Sequence, residues 1–312
     1  MTIGIDMMGG DFAPQEAVKG VLQYLSGHNI PADLVLLGDE PIMEKLLEEN
    51  KVPRDHITIV HAPQIIDMHE HPTKALKEKQ QSSIAIGFEL LANGKTDAFI
   101  SAGNTGAMLV GALFSIKAFE GVLRPAISSI IPKANGGTGL LLDVGLNADC
   151  KPDQLNQFAI MGSVYAQLIL GIDDPRVCLI NVGEEEGKGN LLAQATYPLL
   201  KENPNINFTG NMEGRDILTD KADVMVCEGF TGNIILKLAE SLYNITQHKK
   251  INDKYFERFN FENYGGTPVL GVAKPVIIGH GISHAKAFMN MIHLAQLMIE
   301  KDVMIKMKEK LS

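Results

Sequence analysis

FISAGNTGAM, residues Phe99 to Met108, decides the fold because it joins a strand to a helix through a loop of small residues. Its apolar first half ends at Ser101, and its second half opens an apolar segment, Ala107 to Ile116, with the length of a helix. Between them, Gly103-Asn104-Thr105-Gly106 would leave backbone N–H groups unpaired near one point, where the helix dipole attracts an anion. Turn geometry alone also favours Gly and Asn, so one such junction leaves both interpretations open.

Strand and helix patterns alternate along the whole chain, which predicts an α/β protein with a mostly parallel, doubly wound sheet. Ligands of such sheets bind beyond the carboxyl ends of the strands. The predicted strands end in loops that combine Gly with polar residues: Asp6–Asp11, Ser101–Gly106, Asp143–Asn147, Asn181–Asn190, Glu228–Asn233 and His280–Ser283. One convergent polar site explains this recurrence better than turn chemistry does.

Several element boundaries are specific expectations. The pattern predicts one charged helix over Thr73–Asn93, a hairpin turn at Gly136-Gly137, helices from Asn190 and from Asn233, a last strand at Val276–Ile278, and a long C-terminal helix capped by Ser283.

Composition restricts the class of protein. Hydrophobic residues make up 45% and charged residues 21% of the 312 residues, as in ordinary globular proteins. A net charge of −9 argues against nucleic-acid binding. The three cysteines (Cys150, Cys178 and Cys227) indicate buried, reduced thiols. With no signal peptide and no apolar run long enough to cross a bilayer, we expect a cytoplasmic protein that could still lie on a membrane surface.

Known catalytic signatures are incomplete or missing. The loop at Gly183 and Gly187-Lys188 resembles a P-loop, but its spacer is one residue short and Gly189 replaces the required Ser or Thr. Neither a dinucleotide fingerprint nor a Gly-x-Ser-x-Gly elbow occurs, and His69 and His71 lack a third metal ligand at recognisable spacing. We therefore expect no metal and no cofactor.

The remaining polar groups are backbone amides, asparagines and Lys188, none of which is a strong nucleophile or base. This set fits a reaction whose nucleophile is a substrate such as inorganic phosphate, with the protein holding the anion and stabilising an oxyanion. Lys188 could equally be a solvated lysine, but helix dipoles disfavour lysine at a helix start, which favours a functional role.

The chain resembles the bacterial acyl-[acyl-carrier-protein]:phosphate acyltransferases, the PlsX family of phospholipid synthesis. The resemblance covers almost the whole length and rests on long, ordered strings: IDMMGGDFAP (5–14), SSIAIGFELLANGKTDAFISAGNTGA (82–107), RPAI (124–127), LLDVGLNADCKPDQLNQFAIMG (141–162), NVGEEEGKGN (181–190), FTGNMEGRDI (208–217), EGFTGNIILK (228–237) and GGTPVLGV (265–272). Two departures are Leu146, where the family usually has Ala, and a short segment before Gly265-Gly266.

The resemblance implies a three-layer α/β/α fold related to isocitrate dehydrogenase and phosphotransacetylase, in one domain over residues 1–312. It implies a homodimer that moves a long fatty acyl group from acyl carrier protein to phosphate, and a membrane glycerol-3-phosphate acyltransferase that receives the product. Lys188 and Asn233 would be catalytic. The phosphate and thioester would be bound by Asp6, Gly9, Gly10, Asp11, Gly103, Asn104, Thr105, Gly106, Asn147, Glu184, Gly232 and His280.

An aromatic and basic helical extension is expected at about 244–264. Ile251, Tyr255, Phe256 and Phe259 fall on one helical face there, and the extension could pack a dimer or rest peripherally on a membrane. A lysine cluster (Lys74, Lys77 and Lys79) is the expected docking site for the acidic carrier protein.

Two other functions stay open at this point. One is a short-chain phosphotransacetylase that uses a coenzyme A thioester. The other is a non-catalytic, anion-binding regulator on the same sheet.

Overall fold

The computed structural model describes residues 1–27 and 31–311, which form two compact units. The first unit comprises Met1–Lys117 and Phe261–Glu300, and the second comprises Ala118–Asn260 and Lys301–Ser312.

Both units alternate strands and helices. The strands are β1 (Thr2–Asp6), β2 (Asp33–Gly38), β3 (Ile57–His61), β4 (Ala98–Ser101), β5 (Ala126–Pro132), β6 (Thr138–Leu142), β7 (Arg176–Asn181), β8 (Asn207–Glu213), β9 (Val224–Val226), β10 (Thr267–Leu270) and β11 (Val276–Ile278). The α-helices are α1 (Gln15–Gly27), α2 (Glu40–Glu49), α3 (Pro72–Glu78), α4 (Ser83–Ala92), α5 (Thr105–Gly111), α6 (Pro152–Leu168), α7 (Leu191–Glu202), α8 (Gly229–His248), α9 (Lys254–Glu257), α10 (Ala285–Glu300) and α11 (Val303–Leu311).

In the first unit the strands lie in the order β3-β2-β1-β4-β11-β10; β10 runs antiparallel to its neighbour β11, and the pairs from β3 to β11 are parallel. The chain moves from β1 to β3 towards one edge and returns to β4, so right-handed crossovers place α1 and α2 on one face and α4 on the other. On the first face α1 packs against α10 at Gly20 and Phe288. On the second, Phe88 of α4 meets Phe99 of β4 edge to face at 5.1 Å.

In the second unit the strands lie in the order β5-β6-β9-β7-β8. Only the β5–β6 pair is antiparallel, with Ser128 opposite Leu142, so the predicted hairpin at Gly136-Gly137 is confirmed. Gly162 of α6 lies directly on Val224 and Leu142, which lets this buried helix approach the sheet closely. The expectation of a mostly parallel α/β protein is confirmed in both units.

The single charged helix predicted over Thr73–Asn93 is wrong, because the chain forms α3 and α4 with a break between them. Ser82 starts the second helix: it lies in an extended conformation and its hydroxyl accepts the N–H of Ala85 at 3.2 Å. A side-chain cap of this kind begins a new helix even where the apolar and charged pattern continues.

Two helix starts also differ from prediction. The helix expected from Asn233 begins at Gly229, because the Glu228 carboxylate caps it by accepting the N–H of Thr231 at 3.0 Å. Ser283 does not cap α10: its hydroxyl is buried and has no hydrogen-bond partner within residues 1–27 and 31–311. The Glu16 carboxylate accepts the N–H of Ala285 instead, at 2.9 Å.

The segment at about 244–264 is not one continuous helix. Helix α8 ends at His248, α9 covers only Lys254–Glu257, and a 3-10 turn covers Phe261–Asn263. Asp253 caps α9 by accepting the N–H of Tyr255 at 2.8 Å, which separates α9 from α8. No helix in the described part of the chain is long and apolar enough to cross a bilayer.

Candidate active site

The loops after β1 and β4 form a first strand-end cluster around Asp6. Its fully buried carboxylate accepts the Ser101 hydroxyl at 2.6 Å and the Met8 N–H at 3.0 Å. Ser101 Oγ in turn accepts the N–H of Gly103 at 2.9 Å. Burial raises the pKa of Asp6, although hydrogen bonds from Ser101, Ser83 and the backbone oppose the increase. Asp6 therefore holds the loops after β1 and β4 together through hydrogen bonds to Met8 and Ser101.

Glycines let the two loops of this cluster touch. A Cβ on Gly9 would lie 2.3 Å from Asp6 Oδ2 and 2.6 Å from the nitrogen of Gly103, so no side chain fits there. Gly10 has a φ of +111°, a conformation that glycine adopts without strain. The N–H of Asp11, whose side chain is exposed, donates to the carbonyl of Gly281 at 2.7 Å.

Asn104 holds the cluster to the preceding loop. Its side-chain oxygen caps α5 by accepting the N–H of Ala107 at 2.9 Å. Its Nδ2 donates to the carbonyls of Asp67 at 2.8 Å and Glu70 at 3.0 Å. Both ends of this buried amide are therefore engaged within the protein, so we infer that Asn104 positions the loop around Asp67–Glu70.

The other predicted residues of the first unit lie around this cluster. Thr105 is exposed at the start of α5, and Gly106 packs against Pro72, where a Cβ would come within 2.3 Å. The half-buried His280 ring lies 4.4 Å from the ring of Phe261.

A second strand-end cluster forms around Asp143, directly after β6. Its buried carboxylate accepts the N–H of Ile127 at 3.1 Å and of Leu146 at 3.2 Å, and both the N–H (2.6 Å) and Nδ2 (2.8 Å) of Asn147. The N–H of Gly145 donates to it at 3.3 Å. Burial raises the pKa of Asp143, opposed by these hydrogen bonds.

Helix α8 begins against this second cluster. The N–H of Gly229 donates to the carbonyl of Asn147 at 2.7 Å. A Cβ on Gly232 would lie 1.8 Å from the carbonyl oxygen of Asp143, so the helix passes directly over the strand end. Nδ2 of Asn233 donates to the carbonyl of Val144 at 3.1 Å, and the residue stays exposed.

Lys188 lies in the loop between β7 and α7. Asn181 holds this loop by donating its Nδ2 to the carbonyl of Lys188 at 3.0 Å. The exposed ammonium group of Lys188 forms no ion pair or hydrogen bond with any described residue, including Asn233. The Glu184 carboxylate turns away and binds Lys221 at 2.5 Å.

None of the three cysteines is an activated nucleophile. Burial raises the pKa of Cys150 to about 12, with the nearby carboxylates of Asp143 and Glu228 adding to the shift. Burial also raises the pKa of Cys178 and places that of Cys227 well above its ordinary value. Since the thiolate is the reactive form, all three remain inert thiols at neutral pH.

A half-open cavity of about 310 Å³ lies in the second unit beside the Lys188 loop. It is lined from the ends of β7 and β9 and from the first turns of α6, α7 and α8. Its walls include Leu155, Leu179, Leu192, Ala193 and Ile235.

Comparison with known proteins identifies the family. The family model for the fatty acid synthesis protein matches residues 1–249 and 248–306. The chain belongs to the fatty acid synthesis protein family. The boundary between the two matched segments lies at the end of α8, just before the segment that the sequence marks as short relative to the family.

Curated members of the fatty acid synthesis protein family match over their full length. A phosphate acyltransferase of Dictyoglomus thermophilum is 42% identical, with 100% of this chain and 98% of the relative covered. One from Thermoanaerobacterium thermosaccharolyticum is 44% identical, with coverages of 97% and 94%. The assignment to the acyltransferases made from sequence is therefore confirmed.

Solved structures support the fold of this family member. A phosphotransacetylase from Streptococcus pyogenes aligns with a TM-score of 0.68 at 18% identity, covering 96% of this chain and 94% of that one. A branched-chain phosphotransacylase from Enterococcus faecalis aligns at 0.59 and 15% identity, with 96% and 100% covered. The expected phosphotransacetylase-like fold is confirmed.

The structure thus groups the predicted residues of each unit but leaves several apart. Asp6, Gly9, Gly10 and Gly103 form one cluster; Asn147, Gly232 and Asn233 belong to the other; Lys188 and Glu184 occupy a separate loop. Sequence analysis placed Asp143 and Ser101 at strand ends but gave neither residue a role of its own. The signal was available for Asp143, because Asp143-Val-Gly145 repeats the arrangement of Asp6 at its strand end: a terminal aspartate followed by a glycine-containing loop.

Proposed function

We propose that the protein transfers a long-chain fatty acyl group from the thioester of acyl carrier protein to inorganic phosphate. Acyl phosphate would then serve a membrane glycerol-3-phosphate acyltransferase in phospholipid synthesis. The observation that carries this proposal is the full-length match to phosphate acyltransferases. The protonated thiols add support, because a chain without an activated cysteine needs a nucleophile from a substrate.

In the proposed step an oxygen of the phosphate dianion attacks the thioester carbonyl carbon. The carbonyl oxygen becomes an oxyanion, and the carbon–sulfur bond then breaks as the carbonyl reforms. The phosphate proton passes to the departing thiolate, so the products are acyl phosphate and a free thiol. The protein contributes orientation and stabilisation of the developing negative charge.

Lys188 and Asn233 are the proposed catalytic groups of the second unit. The unpaired ammonium of Lys188 supplies a positive charge that no carboxylate of the described residues neutralises. The amide of Asn233, fixed by its bond to Val144, can position a polar substrate group. Asn147 is held to Asp143 by two hydrogen bonds and would keep this surface in one arrangement. The binding roles of Asp6, Gly103 and the other loop residues of the first unit stay a prediction.

Thiol release tests the reaction directly. The purified chain is supplied with phosphate and, in parallel, palmitoyl carrier protein, palmitoyl coenzyme A and acetyl coenzyme A. Phosphate-dependent thiol release that is fastest from palmitoyl carrier protein supports the proposal. Preference for acetyl coenzyme A would instead identify a short-chain phosphotransacetylase, and no release from any donor would favour a regulator.

Removing the charge of Lys188 tests its role. Lys188→Met is expected to lower kcat/KM by roughly 100- to 1,000-fold, the usual effect of removing one oxyanion-stabilising group. Lys201→Met is the matched control, because this exposed lysine binds Glu186 and lies at the far end of α7. Equal activity of the two variants would remove Lys188 from the mechanism.

Peripheral membrane contact is proposed for the segment after α8. Tyr255 and Phe256 are half-buried and pack with the buried Phe259, so they are poor candidates for insertion into lipid. Arg258 ties the segment to the β5–β6 hairpin by donating to the carbonyl of Lys133 at 3.2 Å.

The exposed residues of this segment are the better membrane candidates. Ile251 is surrounded in sequence by three exposed lysines, Lys249, Lys250 and Lys254, a combination that favours anionic lipid surfaces. Ile251→Ser is expected to reduce sedimentation with anionic vesicles, whereas Ile305→Ser, at an exposed isoleucine of α11, should not. Sedimentation that both variants leave unchanged would contradict this contact.

The carrier protein is proposed to dock on α3, beside Gly106 in the first unit. Lys79 is engaged there, since it donates to Glu70 at 2.6 Å. Lys74 lies 4.0 Å from a glutamate one turn along the helix, and Lys77 forms no ion pair within the described residues. Lys77→Glu is therefore expected to weaken saturable carrier binding, while Lys95→Glu, at another exposed lysine, serves as control. Equal affinities would exclude α3.

A homodimer is proposed to form through α8. Ile234, Leu238 and Ile245 are 53%, 67% and 49% exposed and recur on one face of the helix. Leu238→Glu should shift the protein from dimer to monomer in size-exclusion chromatography. An unchanged elution position of a dimer would place the interface elsewhere.

A further inference from the structure

The cavity beside the Lys188 loop has an apolar interior. Its deepest lining residues, Leu155, Leu179 and Cys227, are almost completely buried. Leu192 and Ala193 line it from α7, and Ile235 lines it from α8. The thiol of Cys227 stays protonated because burial raises its pKa, so it behaves here as a small apolar group.

Polar groups are found at the mouth of the cavity. Asn181, Asn190, Glu228 and Thr231 line it there, and most of their hydrogen-bonding capacity is already used. Asn190 Oδ1 accepts the N–H of Ala193 at 2.8 Å, and Glu228 Oε1 accepts the N–H of Thr231 at 3.0 Å. These caps fix where α7 and α8 begin, and residues of both helix starts line the cavity. The cavity is therefore a fixed gap between two capped helices.

The mouth of the cavity is continuous with the loop that carries Lys188. Gly189 and Asn190, the next two residues, both line the cavity, and Asn181 lines it while binding the carbonyl of Lys188. The apolar rim is exposed, with Val182 at 80%. A ligand whose polar end lies beside Lys188 would thus place an adjoining apolar segment over this rim and into the cavity.

We propose that this cavity binds the acyl chain of the thioester substrate and makes the enzyme selective for longer chains. The proposal rests on the proposed function, since it requires a thioester carbonyl beside Lys188. A volume of about 310 Å³ is at the small end of the usual range for ligand sites, roughly 300–1,000 Å³. The cavity therefore takes the methylenes beyond those that cross the rim, which a butyryl chain is too short to supply, and each one buried contributes roughly fourfold to binding.

Filling the cavity tests this assignment. Ala193→Leu adds a branched side chain to the wall, and Ala195→Leu makes the same change at an exposed position of the same helix. We measure kcat/KM with butyryl, octanoyl and palmitoyl thioesters of the carrier. Ala193→Leu is expected to lower the values for octanoyl and palmitoyl donors by roughly tenfold or more while sparing the butyryl donor. Ala195→Leu should leave all three values unchanged.

A second variant keeps the test decisive if Ala193→Leu fails to fold. Ile235→Ala enlarges the cavity from the opposite wall, and it should lower the preference for octanoyl over butyryl donors because apolar contacts are lost. Equal effects on all three donors from both variants, or no effect from either, would overturn the assignment. So would a change of oligomeric state in Ala193→Leu alone, which would show a partner copy covering the gap. If the unaltered chain releases no thiol from any donor, the proposed function fails instead.

Discussion

Replacing Asp143 by alanine removes the acceptor that shapes the second strand-end cluster. The carboxylate accepts the N–H groups of Ile127 and Asn147 and the Asn147 side chain, with Asn147 N–H at 2.6 Å as the shortest bond. Nδ2 of Asn147 retains a second acceptor, the carbonyl of Pro125 at 2.8 Å. The four backbone N–H groups that donate to the carboxylate, those of Ile127, Gly145, Leu146 and Asn147, lose their acceptor, because the methyl group of alanine accepts no hydrogen bond.

The magnitude is set mainly by the two shortest of these bonds, from Ile127 and Asn147, because Gly145 is exposed and Leu146 is half-buried, so water can reach their N–H groups. A buried donor that loses its partner costs about 1–3 kcal/mol, so two cost about 2–6 kcal/mol. Burial disfavours the charged form of Asp143, as its raised pKa shows, so removing the carboxylate recovers part of this cost. We expect a net destabilisation of about 2–4 kcal/mol, and hence a fall in melting temperature of roughly 3–6 °C for a chain of 312 residues.

Thermal unfolding followed by circular dichroism measures the effect. Asp153→Ala is the matched control, because this exposed aspartate lies in the first turn of α6 in the same unit. Asp143→Asn keeps the size of the side chain but turns a donor towards the loop, so it should preserve most secondary structure and raise the KM for phosphate. Equal melting temperatures for Asp143→Ala and Asp153→Ala would refute the organising role of Asp143.

Two further predictions concern the second unit. A Cβ on Gly232 would lie 1.8 Å from a backbone carbonyl oxygen, so Gly232→Ala should lower the free energy of unfolding by about 1–3 kcal/mol or more. Gly187→Ala is the control, because a Cβ there meets nothing within 4 Å, and denaturant titration should show no change for it. Burial would raise the pKa of Asp223, but Arg176 and Lys133 outweigh it and hold the pKa well below its ordinary 3.8. Asp223 therefore contributes its full stabilisation at pH values above 3.8, and this contribution is lost as the pH falls through the lowered pKa of the folded state. Asp223→Asn should lower the free energy of unfolding by about 3–5 kcal/mol at neutral pH, and it should reduce the loss of that free energy as the pH falls into the acid range. An unchanged dependence of the unfolding free energy on pH would contradict this.

Sequence reasoning predicted the parts of the fold that depend on local patterns. Sequence patterns predicted the strands with continuous apolar runs and the Gly136-Gly137 hairpin. They also predicted the start of α7, because Asn190 is a typical cap before an apolar helical pattern. Strand β10 was not found, since it is short and contains Pro268, a residue that usually argues against a strand. The break between α3 and α4 was not predicted, because the helical periodicity of the sequence continues across it.

The polar contacts of the candidate site were less predictable than its location. The strand-end rule predicts a site at the loops around Asp6 and Asn147, but it does not say which side chains face a ligand. Asn104 illustrates the difference: its amide is used by the N–H of Ala107 and by the carbonyls of Asp67 and Glu70. Such contacts join residues far apart in the chain, so local patterns in a single sequence cannot predict them.

Asp6 and Asp143 show how the same solution serves two strand ends. Each carboxylate is completely buried, each has a raised pKa caused mainly by burial, and each accepts N–H groups from the loop that follows its strand. A carboxylate used in this way is unavailable as a base, and a negative charge beneath the loop would repel a bound anion unless its hydrogen bonds are directed into the protein. We infer that both aspartates fix the loops while backbone and amide groups meet the substrate. This division of roles agrees with the proposed attack by an oxygen of phosphate.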